Sequence, residues 1–203
     1  MLGFGYIIDG RWSFLHNVTR KQVDANIVRC PQEDGARKMT ERIVEAQQDH
    51  NSIGGCVVCV IRNLPVGLGE PCFDKFEARL AAAMLSIPAT KSFEFGSGLD
   101  GTCIPGDVHN DPHEMVEGKM RTTTNFSGGV QGGITNGEDV YFKVGFKSVA
   151  TIGKAQQTST YDGTPGVLEA KGRHDPCVLP RAVPIVESMA TLVVMEYASI
   201  NLA

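Results

Sequence analysis

No stretch of this 203-residue chain approaches the about 18 consecutive apolar residues that a membrane-crossing helix needs. The opening Met1 to Ile8 also lacks the basic flank and small-residue cleavage site of a signal peptide. An excess of positive charge is missing as well. Nineteen Lys and Arg against 23 Asp and Glu leave a net charge of −4, which excludes a general electrostatic grip on nucleic acid or on an anionic membrane surface. Any anion site therefore has to be local. Six cysteines in a chain of this length are too sparse for a secreted disulfide framework and read as reduced thiols. No solenoid period is present. These absences together lead to the expectation of a soluble, cytoplasmic protein with no membrane and no nucleic-acid partner.

What is present suits one globular domain: 42% hydrophobic residues and a mean hydropathy of −0.08. Glycine is abundant, 23 residues, and clustered, so the backbone is expected to turn tightly or approach closely at a few places. Met39, Ile43 and Ala46 recur at helical spacing from Gly35 onward among charged residues. Cys56 to Ile61 is a short β-branched run that reads as a buried strand. Phe73, Phe76, Leu80 and Met84 form one helical stripe, stopped by Pro88. A second helix, from about Pro184 to Ala198, is apolar nearly all round and is expected to be deeply buried. Val140, Phe142, Val144 and Phe146 alternate with Tyr141, Lys143, Gly145 and Lys147, the period of a strand with one buried face. Residues 158–161 and 167–171 flank Asp162 to Gly166 as a hairpin. Helices, single strands and hairpins lack a strict β-α-β rhythm, so the fold class expected is α+β with antiparallel sheet.

Several groups could carry chemistry. Cys56 and Cys59 form a C-x-x-C, but residues three apart in a strand face opposite ways and no second pair follows, so structural thiols are favoured and no metal site is expected. His109 and His113 are four apart, yet Pro112 between them disfavours a helix. Residues 127–137 hold five glycines in eleven residues without a dinucleotide fingerprint or a Walker loop. A pair of turns explains them, and a flat or phosphorylated ligand lying on bare backbone is the alternative. Lys147 and Thr151 at a strand end could clamp one phosphate. Gly172 to Cys177, followed by Arg181, brings a guanidinium and a carboxylate together, as either a structural ion pair or a catalytic unit.

Longer strings add weight. Ser52 to Gly55, Arg62 to Pro71 and Phe73 to Lys75 resemble the chorismate synthase family in order and register. So do Phe93 to Gly98, His109 to Asp111, Ser127 to Gly133, Gly172 to Cys177 and Pro180 to Pro184. The similarity runs from about Thr19 to about Val194, and Val23 to Pro31 is most similar to the fungal branch. The domain division that follows is an unassigned leader at 1–18 and the C-terminal part of a chorismate synthase domain at 19–203.

The resemblance implies antiparallel sheets and helices layered as a β-α-β sandwich, with the N-terminal half absent. It implies a homotetramer and a lyase that uses reduced FMN to convert 5-enolpyruvylshikimate 3-phosphate to chorismate and phosphate by 1,4-anti elimination. Carried over by position, Lys147, Ser148, Val149, Ala150 and Thr151 match the flavin-phosphate segment, with Ser148 in place of the usual proline. Gly132, Pro88 and Ala89 match residues lying against the flavin, and Asn125 precedes the glycine segment as in the family. Arg173 matches an arginine shared by cofactor and substrate, and Asp175 a carboxylate assisting proton transfer. The family's N-terminal histidine and arginine motifs are not in the chain, so little or no elimination activity is expected of it alone. The alternatives are an inactive fragment that binds partner subunits or flavin, and an NAD(P)H-dependent flavin reductase, as in fungal members of the family.

Overall fold

The computed structural model describes residues 2–5, as backbone, and 18–201. Most of the leader, including Trp12, Phe14 and Leu15, lies outside the described residues. At its start, though, Leu2–Gly5 forms a strand, β1. Two helices follow, α1 (Arg20–Val23) and α2 (Glu33–Gln48). Then come β2 (Gly55–Ile61), α3 (Phe76–Leu85), β3 (Thr90–Phe95), a 3-10 turn at Gly98–Cys103 and α4 (Gly106–His109). Two small hairpins, β4 (His113–Val116) with β5 (Lys119–Thr122) and β6 (Val130–Gln131) with β7 (Ile134–Thr135), precede β8 (Val140–Phe146). The hairpin of β9 (Gln156–Ser159) and β10 (Pro165–Leu168) leads to α5 (Leu179–Ile200).

The main sheet has the order β1-β2-β8-β3 and every pairing in it is antiparallel. β8 lies at its centre because its alternation suits burial on one face. Val140, Phe142, Val144 and Phe146 are buried, while Tyr141, Lys143 and Gly145 are half-buried on the other side. Against the buried face pack α3, through Phe76, Leu80 and Met84, and α5, through Val183, Val186, Ala190 and Val193. Rings lock the seam, Phe76 on Tyr197 at 5.6 Å and Phe93 on Phe142 at 5.4 Å between centroids.

Two helix expectations need correction. Phe73 is not part of the α3 stripe. It sits at φ 57° in the preceding loop with its ring exposed, because the helix starts only at Phe76, whose N–H bonds the Gly133 carbonyl at 2.9 Å. α5 starts at Leu179, five residues before Pro184, with Pro180 in its first turn. Pro184 is tolerated inside because it forfeits only one bond, to the Pro180 carbonyl. Nor is α5 buried all round, since Ile185, Leu192, Met195 and Ile200 on its outer side are about half exposed. By length and composition α5 could cross a membrane, contrary to the expectation from the sequence. In the structure it packs on the sheet and is tied to α1 and α3 by the ion pairs Arg20–Glu187 and Arg79–Glu196, each 2.6 Å.

Candidate functional site

The site is built by strand topology. β8 runs antiparallel to both neighbours, so its last residue, Phe146, sits opposite Gly55 at the start of β2 and Thr90 at the start of β3. Three loops must therefore leave the sheet at the same end: the one after β8, the one before β2 and the one before β3. The tripeptide Ser52–Gly54, in the loop before β2, ties the loop after β8 to the segment before α5. The Ser52 hydroxyl donates to the Val149 carbonyl at 2.6 Å, and the Ile53 N–H donates to the Pro176 carbonyl at 2.9 Å. Gly54 passes so close to the strand end that a methyl group there would lie 2.3 Å from the Phe146 oxygen and 2.8 Å from Lys147 C and Ser148 N. The Lys147 N–H donates to the Ala89 carbonyl at 2.9 Å. Ala89 reaches that position at φ 70°, a left-handed conformation unfavourable for alanine, held by the buried Thr90 hydroxyl on the Ile87 carbonyl at 2.7 Å.

Pro88, Ala89, Lys147, Ser148, Val149, Ala150 and Pro176 thus come from three stretches of sequence to one end of the sheet beside Ser52–Gly54, with Asp175 next to Pro176 and Arg173 three residues before it in the chain. Lys147, Thr151 and Arg173 are exposed, and neither cation makes an ion pair among the described residues. Other charges nearby are occupied. Asp175 is ion-paired with Arg181 from the first turn of α5. Lys154 pairs with Asp49 at 2.6 Å and pins the far end of the Lys147 loop to the end of α2. The loops accordingly carry two uncommitted cations and a hydroxyl, with one carboxylate already oriented, groups of the kind that bind a phosphorylated anion.

Asn125 and Gly132 are not brought there. Tyr141, at the start of β8, donates from its hydroxyl to the Asn125 carbonyl at 2.9 Å. The seven-residue length of β8, about 20 Å, separates that end from Lys147. The Asn125 amide is also spent within its own loop, accepting from the Gly129 N–H at 2.7 Å and donating to the Asp139 carbonyl at 2.8 Å. Gly132 stands at φ 62° in the β6–β7 turn, with open space where a side chain would go. The glycine segment is, as the turn reading has it, a small hairpin feeding β8.

Other groups take structural places. Cys59 is fully buried and Cys56 half-buried on opposite faces of β2, and burial pushes both thiols up, Cys59 well above its ordinary value. His109 ends α4 and His113 opens β4, so the two share no helix face. The His109 ring stacks on Phe126 at 5.2 Å and meets the Ser97 hydroxyl at 2.8 Å. Sequence reasoning missed two organisers. One is Ser52–Gly54, which falls in a string that carries the family resemblance, without any role in the site following from it. The other is Asp111, buried and accepting from the Thr124 hydroxyl and from the Phe126 and Ser127 N–H groups at 2.7–2.8 Å. Burial alone would raise the Asp111 carboxyl, but these donors outweigh it and hold the group below its ordinary range.

Comparison with known proteins places this geometry in context. A family model described as chorismate synthase matches residues 5–198. The chain is 64% identical over 190 residues to chorismate synthase of Schizosaccharomyces pombe, covering 93% of this chain and 48% of that protein. It is 58% identical over 185 residues to chorismate synthase of Saccharomyces cerevisiae, 90% of this chain and 49% of that one. A solved chorismate synthase structure superimposes with a TM-score of 0.77 at 22% identity, over 97% of this chain and 56% of that chain, a likeness of fold. The chain spans about half the length of the curated relatives it matches.

Proposed function

This chain belongs to the chorismate synthase family, and from that premise we propose that its loop cluster is the flavin-phosphate end of a chorismate synthase active site. The reaction is the 1,4-anti elimination of phosphate from 5-enolpyruvylshikimate 3-phosphate, in which a proton and the phosphate leave and a new double bond forms. Reduced FMN, when bound, supplies an electron-rich ring that can share charge with the eliminating substrate. Lys147 and Thr151 hold the cofactor's phosphate. Arg173 holds an anion of cofactor or substrate. Asp175, kept in one orientation by Arg181, is the carboxylate that accepts or holds a proton. The whole enzyme works in the cytoplasm as a homotetramer, with NADPH as a source of electrons for the flavin.

One observation carries this reading: Ser52–Gly54 joins the Lys147 loop to the Asp175–Pro176 loop by direct bonds and contact. The fit to a phosphorylated cofactor rests on Lys147 and Arg173 having no carboxylate partner among the described residues. Flavin titration followed by fluorescence tests it. Lys147→Ala and Arg173→Ala are each expected to weaken FMN binding by about tenfold or more, since each removes a charge-assisted contact. Affinities equal to that of the unaltered chain would remove the clamp.

A second reading, association with a longer polypeptide of the same family, is favoured by the exposed outer side of α5. Size-exclusion chromatography with and without a full-length relative separates the two readings. NADPH oxidation with FMN and no substrate tests for a flavin reductase.

A further inference from the structure

A hollow of ≈320 Å³ lies between α2 and the junction of β2 with α5. Its floor and walls are apolar, with Met39 and Ile43 of α2, Ile53, Cys177 and Leu179 among them. Burial pushes the Cys177 thiol up, so it stays uncharged there at neutral pH and acts as a small apolar group. Two cations also line the hollow, Lys38 and Arg42, one turn apart on the face of α2 that carries Met39 and Ile43. Both heads reach solvent. Lys38 makes no ion pair among the described residues, and Arg42 has only an exposed one to Glu45 at 3.0 Å. Among the described residues no carboxylate lines the hollow.

We propose that this hollow binds a small amphipathic monoanion: an aromatic or branched carboxylate whose apolar body fills the floor and whose charge sits between Lys38 and Arg42. The volume is at the low end for small-molecule sites and suits roughly ten to fifteen heavy atoms. The apolar floor disfavours a polyanion such as a sugar phosphate, which would bury charge without partners. The cationic rim disfavours a neutral or cationic occupant. The site is separate from the flavin-phosphate cluster, since neither Lys147, Arg173 nor Asp175 lines it. It shares a wall with that cluster all the same, because Ile53 and Gly54 line the hollow while bonding and abutting the Pro176 and Lys147 loops.

The test uses the 203-residue chain without flavin or substrate, so its result is independent of the lyase reading. 3-Phenylpropionate and its uncharged amide are titrated and followed by methyl NMR. Saturable shifts are expected at Met39, Ile43, Ile53 and Leu179, and none at Ile185 or Leu192 on the outer side of α5. The acid should bind at least about threefold tighter than the amide, and the Lys38→Glu, Arg42→Glu pair should erase that preference while leaving amide binding in place. The milder Lys38→Gln, Arg42→Gln pair, with both residues exposed, guards against a folding artefact and should show the same ordering. Equal affinities for acid and amide, unchanged acid binding in both charge variants, or shifts spread over the α5 surface would overturn the proposal.

Discussion

At Gly54 three backbone atoms of Phe146, Lys147 and Ser148 occupy the space a side chain would need. None of them can swing away as a flexible side chain could, so Gly54→Ala must push the strip off the strand end. The expected cost is about 1–3 kcal/mol of stability, measured by urea denaturation. FMN affinity should fall with it, because the same shift separates the Lys147 loop from its anchor. Gly106→Ala is the control: nothing lies within 4 Å of a methyl group there and its φ is not left-handed, so a change within about 0.5 kcal/mol is expected. Asp111 makes a different residue-scale argument. Its carboxyl is held below the ordinary value in the folded chain, so the stability it contributes is complete above the unfolded value of about 3.9 and is lost as pH falls through the lower folded value. Asp111→Asn should cost about 1–3 kcal/mol at pH 7, and the gap from the unaltered chain should narrow below about pH 4. A gap of constant size from pH 7 to pH 3 would mean that its ionisation does not support the fold.

Among elements, the sequence signal was as good as the burial contrast behind it. β8 was legible because every second residue is buried, and α3 because Phe76, Leu80 and Met84 are fully buried one turn apart. α5 was misplaced because a proline, read locally, is a strong signal of a helix's first turn. Packing of Leu179, Ala182 and Val183 against the core outweighs one missing hydrogen bond. The β9–β10 hairpin forms as expected, though with strands at 156–159 and 165–168, two to three residues earlier than read. Its strands are mostly exposed, so no buried face fixed their limits in the sequence. β4–β5 went unread for the same reason, although Glu117 and Gly118, at φ 49° and 76°, supply the mirror-image turn such hairpins use. The Pro184 argument can be checked directly. Pro184→Ala restores a donor to the Pro180 carbonyl inside α5, and the melting temperature should rise by roughly 2–4 °C, the shift that about 1 kcal/mol gives in a chain of this size. A fall instead would show that the proline ring is itself needed in the packing of the first turns.

For the molecule as a whole, the candidate site was legible as residue types and not as a place. Lys147, Arg173 and Asp175 stand out as charges in loops, but nothing in their spacing foretells that Ser52 and Ile53 link those loops. That linkage comes from antiparallel pairing across more than 90 residues of sequence. The same topology sends Asn125 and Gly132 to the other end of β8, whereas the family resemblance names them together with the rest. What the described residues would contribute to the proposed site is one cationic edge, and the outer side of α5 leaves Ile185, Leu192 and Met195 about half in solvent. The curated relatives are about twice as long as this chain, and an elimination that removes a proton and a phosphate from opposite faces needs groups on both sides of the substrate. The 203-residue chain assayed alone with reduced FMN and 5-enolpyruvylshikimate 3-phosphate is therefore expected to bind flavin more readily than it turns over. Chorismate formation should stay at least about a hundredfold below that of a full-length relative, in line with loss of transition-state contacts worth about 3 kcal/mol or more. Turnover near that of the relative would mean that the cationic edge, with Asp175, is sufficient for the chemistry.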